Sequence, residues 1–187
     1  YRPTQPRVLG VPEKLIEHGG FAWSAHTNKY SSLPERSNIR EANPWELLLA
    51  EIGNDEAGRP VVPVALDAST AIYSLHLAGV GSRFEIRDTA DQPITLEVVG
   101  LLENSILQGN LLISEANFLK FFPDSNGYRY FLVKPKLNGN ETTTIGADSI
   151  SSHAVAELLE ATLAADGFDT TDAVEQLAGF LAVQNTY

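Results

Sequence analysis

The chain has 187 residues, 43% of them hydrophobic and 20% charged, and a net charge of −11. A surface of that sign repels nucleic-acid phosphates and disfavours anionic lipid headgroups, so no nucleic-acid partner is expected. The absence of cysteine excludes disulfides, thiolate metal sites and a cysteine nucleophile. No run of about 18 or more apolar residues offers a membrane span.

The first residue is Tyr1 and the chain holds no methionine, which points to a piece of a longer chain or to a processed product. In chain order, residues 7–11 read as a strand between prolines. Residues 13–18 form a short helix that Gly19 and Gly20 stop. Residues 21–40 are polar and irregular and read as a long loop, packed through Phe21, Trp23 and Tyr30. Asn43, Pro44 and Glu46 make a helix start, because Asn can accept from exposed N–H groups and Pro suits the first position. That helix is expected to run to Ile52 and to end at Gly53.

Residues 60–66 read as a buried strand, with Pro63 implying an edge or a bulge. Asp67 and Ser69 are candidate caps for a short helix carrying Ala71, Ile72 and Leu75. Residues 83–87 alternate, residues 94–102 alternate and then turn continuously apolar, and the two predict a hairpin. A strand over 107–113 follows, then a helix from Ser114 to Phe122 that Pro123 stops. Residues 128–133 are aromatic and β-branched and predict another strand, followed by a polar loop over 134–148. A helix capped by Ser151 or Ser152 runs through Ala164, with Val155, Leu158, Leu159 and Leu163 on one face. Asp172 and Glu175 have the spacing of a capping box for a last helix.

Strands and short helices without regular alternation predict an α+β fold. The expected architecture is a mixed or antiparallel sheet with a strand-rich central lobe and packed helices. The whole chain reads as one domain, with two lobes: 1–59 together with 128–187, and 60–127.

Residues for chemistry are sparse. No Gly-x-Ser-x-Gly elbow is present. His18, His26, His76 and His153 are scattered without metal-ligand spacing, so no metal site is expected. Gly79-Val80-Gly81 lacks the third glycine of a dinucleotide fingerprint and reads as a helix stop. No cofactor and no catalytic residue are assigned. The candidate partner or substrate surface is aromatic: Phe21, Trp23, Tyr30 and Trp45, in or beside the loop-rich N-terminal third. Packing of that loop onto the core is the alternative.

Three segments, taken together, resemble a known family. They are Val61-Val62-Pro63-Val64-Ala65-Leu66-Asp67, Gly79-Val80-Gly81-Ser82-Arg83-Phe84-Glu85-Ile86, and Leu96-Glu97-Val98-Val99-Gly100-Leu101-Leu102. Their order and spacing are similar to the periplasmic core domain of MacB-like and FtsX-like ABC-transporter permeases. Leu111-Leu112-Ile113-Ser114 and the segments over 128–134 and 153–184 fit the continuation. The resemblance covers about residues 60–187 and carries over no catalytic residues.

It implies a membrane protein with this domain on the extracytoplasmic, periplasmic side. A cytoplasmic ATP-binding subunit would act through membrane helices, with mechanotransmission to export or to lipoprotein or lipid handling. It also implies a second permease as dimer partner, and a periplasmic partner or cargo. Two other readings stand beside it. A free-standing periplasmic binding or adaptor module would use the aromatic loop and expose an apolar patch. A secreted hydrolase would gather polar groups with perturbed pKa values in a deep pocket.

Overall fold

The computed structural model describes residues 6–30, 43–125, 127–128, 130–134 and 147–184. Six strands form one mixed sheet: β1 (Arg7–Val11), β2 (Ala22–His26), β3 (Val61–Asp67), β4 (Arg83–Arg87), β5 (Pro93–Glu103) and β6 (Asn110–Ser114). With helices α1 (Glu13–His18), α2 (Glu115–Phe121), α3 (Ala147–Leu163) and α4 (Ala173–Gln184), the fold is α+β.

The sheet is organised around β5, whose 11 residues outrun every neighbour. Along one edge it pairs with β3 in parallel. Its other edge is shared. β4 pairs antiparallel with the first half, placing Arg83 opposite Glu97, and β2 pairs antiparallel with the last residues, from Gly100 to Glu103. Beyond β3 lie β6, antiparallel to it, and then β1, parallel to β6. The strand order is β1-β6-β3-β5-β2.

Both faces of this sheet are covered, which explains the near-continuous apolar runs of β3, β5 and β6. On one face Val62, Val64, Leu66, Leu96, Val98 and Ile113 pack with Phe121 of α2 and with Ala71. On the other, Ala65, Val99, Leu102 and Leu112 pack with Ile16 of α1 and with Trp45 and Leu48. Pro63 sits in a fully buried central strand, not at an edge. Pro60 O accepts from Thr95 N–H, so the alternation of a parallel ladder turns Pro63's missing donor away from β5. A register shift does follow it, between Val64 and Ala65.

Several elements differ from the sequence expectation. β2 lies inside the segment read as loop; the rest of that segment, from residue 31 on, is outside the described residues. The helix starting at Asn43 is a 3₁₀ helix, Pro44–Leu49, and stops before Ile52. Three residues per turn put Trp45 and Leu48 on one side, and both are fully buried. Asn43 Oδ1 accepts from Trp45 N at 3.2 Å, as a cap should. β6 begins at Asn110, not at 107. The helix after Asp67 is one π turn, Thr70–Ser74. The expected strand over 128–133 is absent among the described residues there, which are irregular and exposed. α3 begins at Ala147, ahead of the expected serine cap. Asp172 caps α4 as expected, Oδ1 accepting from Val174 N at 2.7 Å.

The lobe division also differs. β1 and β2 come from the first 59 residues yet belong to the sheet built by 60–127. Long-range ladders to β6 and β5 hold them there, and no local pattern reveals such pairing. The compact units are Tyr1–Asn126 and Gly127–Tyr187.

Candidate functional site

The densest polar convergence lies on the β4–β5 hairpin, around Glu97. Its side chain is 4% exposed although it is ionisable. A carboxylate so placed needs partners, because burial penalises its charge. Three surround it. Arg83, opposite on β4, approaches Oε2 through Nε at 2.7 Å and Nη2 at 2.6 Å. The Tyr30 hydroxyl donates to Oε1. Lys29 Nζ stands 3.7 Å from Oε1. Burial alone would raise the Glu97 pKa; the Tyr30 hydroxyl and the Arg83 guanidinium outweigh it, and the value falls below the usual range. The same contacts raise the Arg83 pKa, led by its hydrogen bond to Glu97.

Two residues along the strand, on the same face, a second cluster repeats the theme. Asp55 Oδ2 accepts from Thr95 Oγ1 and from Arg59 Nε, each at 2.8 Å. Its Oδ1 accepts from the backbone N–H of Ala57 and of Arg59, each at 2.9 Å. Led by the Arg59 N–H, these bonds hold the Asp55 pKa down to about 2. Arg59 also pairs with Glu85 of β4. Lys29, Arg83 and Arg59 therefore meet Glu97, Asp55 and Glu85, three charges of each sign.

At the end of β3, Asp67 is buried and works as a cap. Its Oδ1 accepts from Thr70 N at 2.8 Å, and its Oδ2 from the Thr70 hydroxyl and from Gly109 N at 3.1 Å. This ties the π turn to the loop before β6.

The four aromatic residues singled out from sequence come together, but inward. Trp45 is fully buried and donates its indole N–H to Gly20 O at 3.0 Å. Phe21 and Trp23 meet its ring edge-on, at centroid distances of 5.5 and 5.1 Å. Phe21, Trp23 and Tyr30 are partly buried against the same core. Trp45 thus offers no surface to a partner, and Tyr30 spends its hydroxyl on Glu97. These side chains pack the segment after α1 onto the sheet. Trp23 lies so close to Gly100 that a Cβ there would sit 2.5 Å from its ring. The indole N–H of Trp23 is buried without a hydrogen-bond partner among the described residues.

All four histidines are exposed. His153 Nε2 lies 3.3 Å from Glu157 within α3. Among the described residues no group of three His, Cys, Asp or Glu side chains could hold a metal ion. Sequence reasoning missed Glu97, Arg83, Lys29, Asp55, Arg59 and Glu85. One signal was available: the hairpin register, once read, sets Arg83 opposite Glu97. Chemically, every carboxylate in the two hairpin clusters is bonded to a cation or a hydroxyl. The arrangement braces β4, β5 and the segments at Tyr30 and Asp55 against one another, and presents no free acid–base pair.

No protein-family model, no curated protein and no solved structure matches the chain. No described helix is long and apolar enough to cross a membrane.

Proposed function

We propose that the chain is the extracytoplasmic domain of an FtsX/MacB-like ABC-transporter permease subunit. In this reading it couples ATP hydrolysis by a cytoplasmic subunit to export, or to lipoprotein or lipid handling, on the outer side of the membrane. The observation that carries the reading is the way the resembling segments up to Ser114 fold; the described residues of 128–134, which the resemblance also takes in as a strand, form none. The segments up to Ser114 are consecutive structural units: β3, the π turn, β4, β5 and β6, in the order of strand, short helix, hairpin and strand that the resemblance implies. The Val98-Val99-Gly100 segment lies where β5 changes partner from β4 to β2. Relaying displacement calls for rigid elements joined to the membrane helices, and cross-braced strands suit that need better than they suit chemistry.

The chain has no cysteine, so one introduced thiol reports its own location without interference from within it. Tyr73, on the π turn, is 74% exposed. In the full-length parent protein, Tyr73→Cys should react in intact cells with a maleimide that does not cross the inner membrane. Labelling only after that membrane is breached would place the domain on the cytoplasmic side and defeat the proposal.

A further inference from the structure

We draw no further inference here: the strongest candidate, the exposed apolar stretch over residues 130–133 in the C-terminal unit, carries nothing because nothing in the structure shows what covers it.

Discussion

Glu97 shows how a single side chain can be both a cost and a brace. Its burial is unfavourable alone, and its three partners reverse the sign. Because its folded pKa is lowered from 4.5, it contributes stability above that value and loses it as pH falls through the folded value. Asp55 acts in the same sense, its contribution present above 3.8 and lost as pH falls through about 2. Urea denaturation of the protein at a series of pH values should show stability dropping from pH 4.5 downward. Glu97→Gln should cost about 1–3 kcal/mol at neutral pH. The lower part of that range is favoured because Arg83 and Lys29 keep 41% and 63% of their side-chain exposure. The variant and wild-type curves should converge in acid. A constant gap across the whole pH range would show that the charge of Glu97 is not what the variant removes.

Gly100 is the steric counterpart. Any side chain there meets the Trp23 ring, and the ring, or the β2 strand that carries it, must move to make room. Gly100→Val should cost about 1–3 kcal/mol by overpacking, read from the midpoint of denaturation. The double variant with Trp23→Leu should recover part of that loss. A loss unaffected by shortening Trp23 would place the strain elsewhere.

At the scale of elements, burial separates the parts sharply. β3 is buried at every residue and β5 at nearly every one. In Gly127–Tyr187, by contrast, no described side chain is buried, and Leu158 and Val174 on its helices are 66% and 76% exposed. Helical hydrogen bonds without a buried face open locally at little cost. In native-state hydrogen exchange, the amides of β3 and β5 should be the slowest. Those of α3 and α4 should exchange about a hundredfold faster or more. Equal protection across both sets would mean that the helices share the cooperative unit of the sheet.

The same contrast explains what could be read from the sequence. β3, β4, β5 and α2 were legible because apolar run, alternation and cap agree with the packing each element receives. β2 was not: in Ala22-Trp23-Ser24-Ala25-His26 only Trp23 packs inward, and the strand exists because β5 offers it an edge. Residues 128–133 gave the opposite error. Their tyrosines, phenylalanine and valine favour strands, but such preference expresses packing against neighbours more than the backbone itself. Phe131 and Val133 are more than half exposed. For the polar clusters, Arg83 and Glu97 were within reach of a hairpin register. Tyr30 lies 67 positions from Glu97, and its contact depends on a strand that the sequence concealed.

For the molecule as a whole, the sheet unit Tyr1–Asn126 has two buried apolar layers and a braced polar hairpin. In the proposed reading, this unit would pass on motion driven from the far side of the membrane. The most direct test is to purify the full-length parent protein from its membrane in mild detergent and ask what accompanies it. The proposal predicts an ATP-binding subunit in stoichiometric amount. A parent protein recovered from the soluble fraction, or a membrane protein that brings no ATPase with it, would contradict the proposal.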